Sequence, residues 1–161
     1  MSALIANFAE IRERYSGTYE FTTTETPDPD YRKYLARKLA GHLPHVTMPH
    51  PADAVPLDIS LDDVEGDVVA GISAVTVRGT LVIDMLWVDD PMRGQGIGRR
   101  LVQMAEEQAR ARGCTQARIG VLSGVAFYVG MGYAITGTMQ QLTLDHSGPA
   151  QYTLCWLCKA L

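Results

Sequence analysis

The side chains and backbone groups that could do chemistry fall in four places along this 161-residue chain. The first is the run Arg93-Gly94-Gln95-Gly96-Ile97-Gly98. Before it, Leu81 to Val88 is apolar and β-branched, which predicts a buried strand. After it, Arg99 to Arg112 reads as an amphipathic helix. A strand, a glycine-rich loop and a helix in that order make an anion site. N–H groups at a helix start have no internal partner, the helix dipole favours negative charge there, and glycines let the backbone approach a phosphate. The second place is Asp84, a lone carboxylate inside the apolar strand, which requires either a partner or a function. The third is His42, His45 and His50, set among Pro44, Pro49, Pro51 and Pro56. Three nearby histidines invite a metal. An irregular loop without clustered carboxylates lacks the fixed geometry a metal needs, which argues against one. The fourth is Cys155-x-x-Cys158. A strand there points the two thiols to opposite faces, which predicts core cysteines, and a total of three cysteines suggests no disulfide framework.

The glycine run admits three phosphate-binding readings. A P-loop needs Lys-Ser or Lys-Thr after its last glycine, and Gly98 is followed by Arg99-Arg100. The dinucleotide fingerprint needs a third glycine where Arg99 stands. The remaining pattern is Arg93-x-x-Gly96-x-Gly98 between a strand and a helix. It resembles the acetyl-CoA pyrophosphate loop of the GCN5-related N-acetyltransferases (GNAT family). Leu86-Trp87-Val88 resembles the end of that family's fourth strand, and Asp89-Asp90-Pro91 the turn after it. Ala126-Phe127-Tyr128 followed by Gly132-Tyr133 resembles its later Phe-Tyr…Gly-aromatic segment, in shortened form. The resemblance is strong over residues 67 to 137. Two departures stand out. Many members carry an Asn five to seven residues before the tyrosine, where Val121-Leu122-Ser123-Gly124 lies here, so Ser123 is at best a stand-in. Many also carry an acidic residue after the Phe-Tyr pair, where Val129-Gly130-Met131 is uncharged.

The resemblance implies acetyl-CoA as cosubstrate, no metal, and direct acetyl transfer to a primary amine, with a small-molecule acceptor favoured. In that family's fold the region of His42, His45 and His50 often borders the acceptor pocket, so the resemblance implies contact with substrate there. Protein N-terminal or lysine acetylation is one alternative. A non-catalytic acyl-CoA-binding or sensing domain is another. By the same resemblance, the backbone from Gln95 to Arg99 holds the pyrophosphate, with Arg93, Gly94 and Arg99 beside it. The backbone at Trp87 and Val88 pairs with the pantetheine arm, and one N–H there faces the thioester oxygen. Tyr128 is the expected general acid for the leaving thiolate. Asp84 is the expected base for the ammonium, or a group salt-bridged within the fold. No Ser-His-Asp or Cys-His arrangement is readable, which argues against a covalent acyl-enzyme.

The elements that must position these groups follow from periodicity and breakers. Leu4, Phe8, Ile11 and Tyr15 fall at helical spacing before Gly17, so residues 1–17 predict an N-terminal helical extension. Tyr19 to Glu25 reads as a strand. Asp28 or Asp30 caps a helix with Tyr31, Tyr34, Leu35 and Leu39 on one face. Strands follow at 57–62, 68–77 and 80–88, joined by turns at Gly66-Asp67 and Arg78-Gly79. After the helix ended by Gly113 come a strand at 115–122, a short helix at 125–131, and strands at 133–144 and 151–157. Hairpins plus one strand–helix–strand crossover imply an α/β (α+β) fold: a mixed, mostly antiparallel central sheet flanked by helices on both faces. The length suits one domain over 1–161.

The net charge of −4 and the lack of a basic cluster argue against nucleic acid, and slightly favour a cationic acceptor. No apolar run reaches the roughly 18 residues of a membrane span. Met1 to Tyr15 carries Glu10, Arg12, Glu13 and Arg14 and no apolar signal core, so a cytoplasmic location is the expectation. The first helix or late-strand pairing would allow a homodimer.

Overall fold

The computed structural model describes residues 19–40, 49–145 and 148–161. The expected N-terminal helix, His42 and His45 lie outside them. Seven strands form one sheet: β1 (Glu20–Thr24), β2 (Val55–Asp62), β3 (Val68–Val77), β4 (Thr80–Val88), β5 (Gln116–Val121), β6 (Ala134–Asp145) and β7 (Gly148–Ala160). Their spatial order is β1-β2-β3-β4-β5-β7-β6. Every neighbouring pair is antiparallel except β4 and β5. The parallel pair is joined by helix α2 (Ile97–Ala111), the one crossover the sequence implied. Helix α1 (Pro29–Ala40) packs on one face of the sheet and α2 on the other, so the expected mixed sheet with helices on both faces is found.

Local chemistry explains the element ends. The Asp28 carboxylate, rather than Asp30, caps α1 by accepting from the N–H groups of Asp30 at 3.1 Å and Tyr31 at 3.0 Å. Arg78 and Gly79 both take positive φ, 48° and 76°, as a two-residue hairpin turn between β3 and β4 requires. At the end of α2, Cys114 N–H reaches the Ala109 carbonyl and Gly113 N–H the Arg110 carbonyl, both at 2.9 Å, with Gly113 at φ 81°. That closes the last turn in a Schellman arrangement.

The main core lies between the sheet and α2. It contains Leu57, Ile59, Ile72, Leu81, Ile83, Leu101, Val102 and Ala105, all buried. One buried charge ties this layer together. Glu106 of α2 accepts from Lys159 Nζ at 2.8 Å and from the Tyr133 hydroxyl at 2.9 Å.

On the opposite face, α1 lies close against the sheet. The Tyr31 hydroxyl donates to the Ile59 carbonyl at 2.9 Å. This approach requires Gly71 of β3, because a Cβ at that position would overlap the Tyr31 hydroxyl. Gly71→Ala is therefore expected to push α1 outward and destabilise the fold by about 1–3 kcal/mol, the usual cost of overpacking. Chemical denaturation of the two proteins measures it.

Candidate active site

The decisive irregularity is in β4. In its pairing with β3, Ile83 faces Ala74 and Met85 faces Ser73, which leaves Asp84 as an extra, unpaired residue. This β-bulge reverses the in-out alternation beyond it. Leu81 and Ile83 face α2, and after the bulge Leu86 and Val88 do so too. Met85 and Trp87 are turned toward α1, where they pack with Leu35. The Trp87 ring meets Tyr34 edge-on at 5.9 Å and lies 5.0 Å from Lys38 Nζ.

Beyond the bulge β4 also leaves β5. The two strands pair only from Thr80 to Ile83 against Gln116 to Ile119. After that point β4 stays with β3, and β5 stays with β7. The facing edges of Leu86–Val88 and Gly120–Val121 have no ladder partner among the described residues. A cleft of about 720 Å³ opens between them. Asp84 to Val88 form one wall and Ile119 to Gly124, including Ser123, the other; Phe127 and Tyr128 also line the cleft.

The glycine loop forms one end. A short 3-10 turn, Asp90–Met92, leaves β4, and Gly94 and Gly96 then take positive φ of 74° and 84°. Both values favour glycine. The N–H of Arg100 makes the first helical bond, to the Gly96 carbonyl at 2.9 Å. The N–H groups of Ile97, Gly98 and Arg99 therefore have no helical acceptor. Gly94, Gly96, Ile97, Gly98, Arg93 and Arg99 all line the cleft. Gln95 does not; its side-chain amide donates back to the Pro91 carbonyl at 3.0 Å. Arg93 donates to the Val88 carbonyl and pairs with Asp90, both at 2.9 Å, which clasps the loop to the end of β4.

Tyr128 sits on the short helix α3 (Val125–Val129), which Gly124 starts at φ 75°. It is 5% exposed and held edge-on between Phe127 at 4.9 Å and Tyr133 at 5.6 Å. Its hydroxyl bonds to none of the described residues. Burial pushes its pKa well above the ordinary tyrosine value, so the group stays protonated.

Asp84 lines the other end of the cleft, and the structure surrounds it with partners the sequence did not reveal. The Nε2 of His50 lies 2.9 and 2.8 Å from its two carboxylate oxygens. Arg32 of α1 reaches Asp84 at 3.4 Å and Asp58 of β2 at 3.3 Å, and donates to the Ala74 carbonyl at 3.0 Å. Ser73 donates to Asp58 at 2.7 Å. Burial raises the Asp84 carboxyl above its usual range, and His50 and Arg32 oppose the shift. Asp58 is raised for the same reason. His50 carried a hint in the sequence, since its loop was expected to meet substrate. Arg32 carried none, being one of several charges on a helix face.

Comparisons with known proteins bear on the family and the fold. The sequence model of the acetyltransferase (GNAT) family matches residues 8–133. Acetyltransferase Atu2258 of Agrobacterium fabrum is 36% identical over 129 residues, covering 79% of this chain and 93% of that protein. Blasticidin-S acetyltransferase of Streptomyces morookaense is 31% identical over 77 residues, covering 46% of this chain and 57% of that protein. Among solved structures, the ribosomal-protein-S18-alanine N-acetyltransferase of Escherichia coli shares the fold, with a TM-score of 0.66 at 14% identity, covering 89% of this chain and 94% of that one.

Proposed function

Because this chain belongs to the GNAT family and is an N-acetyltransferase, we propose that it moves an acetyl group from acetyl-CoA directly to a primary amine of a small molecule, with both substrates bound together. The observation that carries the reading is the parting of β4 and β5. It makes a slot with an anion-binding loop at one end, a buried carboxylate at the other and a protonated tyrosine in its lining.

In this reading the N–H groups of the Gln95–Arg99 segment hold the pyrophosphate, with Arg99 beside them. The pantetheine arm lies along the free edge of Trp87 and Val88 as an added strand, with Ser123 on the facing wall. An N–H at Val88 faces the thioester oxygen and stabilises the charge that develops there. The amine enters from the Asp84 end, where negative charge favours its ammonium form. Once a base has taken one proton from the ammonium, its nitrogen attacks the carbonyl carbon, the carbon–sulfur bond breaks, the Tyr128 hydroxyl gives its proton to the thiolate, and a second proton leaving the nitrogen replaces it. The water-poor surroundings that raise the tyrosine raise the thiol as well, which keeps the transfer feasible.

Thermal-shift titration with acetyl-CoA, with NAD as the control, tests this. Acetyl-CoA at 100 times its Kd is expected to stabilise the fold by about 2.7 kcal/mol, and NAD by none. Equal lack of response to both would remove the reading. Acetylation of a peptide N-terminus in preference to free amines would shift the acceptor class.

A further inference from the structure

A primary amine is an ammonium at neutral pH, and it attacks only after losing a proton. Asp84 is badly placed to take that proton itself. Its side chain is only 5% exposed, and both its oxygens are already engaged. Its partner His50 is the more accessible of the two, at 18%. An ionised carboxylate only accepts hydrogen bonds, so the Nε2 that faces it must carry hydrogen. The neutral ring then holds its lone pair on Nδ1, which bonds to none of the described residues. Arg32 steadies Asp84 from α1 and is itself anchored by Asp58 and the Ala74 carbonyl.

We propose that His50 is the base of the reaction, with Asp84 and Arg32 as positioning residues that set its orientation and tautomer. The proposal rests on the acetyl-transfer reading and adds the proton's route. His50 stands behind Asp84 rather than in the lining of the cleft, so the ammonium N–H bond breaks and the proton passes to Nδ1 through one water. The freed electron pair forms the bond to the thioester carbon, and His50 releases the proton to solvent. The nitrogen's second proton leaves the tetrahedral adduct and replaces the one that Tyr128 gives to the thiolate. Among the described residues, the charged groups facing His50 and its partners are Asp84 from β4, Asp58 from β2 and Arg32 from α1. With His50 neutral, the two carboxylates outnumber the guanidinium and favour a cationic acceptor.

Two measurements on the full chain test this. In 15N NMR at pH 8, the His50 ring is expected to carry hydrogen on Nε2 alone. A ring protonated on Nδ1 overturns the proposal without any turnover assay. His50→Gln keeps a donor for Asp84 and removes the base. On a panel of primary amines (tyramine, agmatine and alaninamide) its kcat/KM is expected to fall about 10²–10³-fold. Its acetyl-CoA affinity is expected to match wild type. Its rate with hydroxylamine, already unprotonated at neutral pH, is expected to fall far less. A variant that keeps its rate with the amines overturns the role of His50 alone. Failure of the wild-type protein to bind acetyl-CoA strikes the acetyl-transfer reading instead.

Discussion

Tyr128→Phe is expected to lower kcat by about 10²–10⁴-fold, the usual contribution of a positioned proton donor, while leaving acetyl-CoA affinity and Tm unchanged. The two halves of this expectation have separate causes. The ring packs between Phe127 and Tyr133, and Phe keeps both edge-on contacts. The hydroxyl makes no bond to a described residue, so its removal takes away no internal partner. What Phe cannot do is deliver a proton to the departing sulfur. Steady-state kinetics, together with isothermal titration of acetyl-CoA, measure the two halves. A wild-type kcat would exclude the acid role, and a lost affinity would make Tyr128 a packing residue for the CoA arm.

Asp84→Asn is expected to separate stability from activity. Burial is the largest influence on this carboxyl and raises its pKa in the folded protein despite the His50 and Arg32 contacts. The sign follows from linkage. A carboxyl with a raised folded pKa contributes stability that is fully present below its unfolded pKa and is lost as pH rises through the folded pKa. At neutral pH the ionised Asp84 therefore weighs against the fold, and the neutral amide removes the burden. The variant's Tm is expected to equal or exceed wild type at pH 7–8, with the difference closing toward about pH 4, where Asp protonates in the unfolded chain. Arg32 keeps Asp58 and the Ala74 carbonyl as partners, so it is not stranded. The kcat is expected to fall about 10²–10⁴-fold, because an amide can donate to Nε2 and drive the imidazole into the opposite tautomer. Thermal melts across pH, with 15N NMR of the His50 ring, read both effects. A Tm several degrees below wild type at pH 7 would show that pairing outweighs burial.

The site's phosphate end was legible in the chain because its cause is local. Gly94 and Gly96 take positive φ, and the free N–H groups belong to the helix that starts at Ile97, all within one short segment. The turn at Arg78-Gly79, the cap at Asp28 and the helix stop at Gly113 are local in the same way. Elements were misjudged mainly at their ends. β2 begins at Val55 rather than Leu57, and β7 runs from Gly148 to Ala160 rather than from Gln151 to Leu157. There, pairing with a neighbouring strand extends the ladder past what side-chain type alone suggests.

Residue types and spacing were sufficient for a strand, a glycine loop and a helix in series, for the mixed sheet they imply, and for the family that arrangement resembles. They also marked Asp84 as a carboxylate in need of a partner. Tertiary structure alone supplied that partner and the slot beside it. The bulge at Asp84 arises from the registration of β4 on β3, and the cleft from β4 and β5 parting after Ile83. His50 lies 34 residues from Asp84 and Arg32 lies 52 residues from it. No periodicity or motif spans such separations. Only the packing of α1 and the segment before β2 against one face of the sheet brings a histidine, a guanidinium and a buried carboxylate within hydrogen-bonding distance.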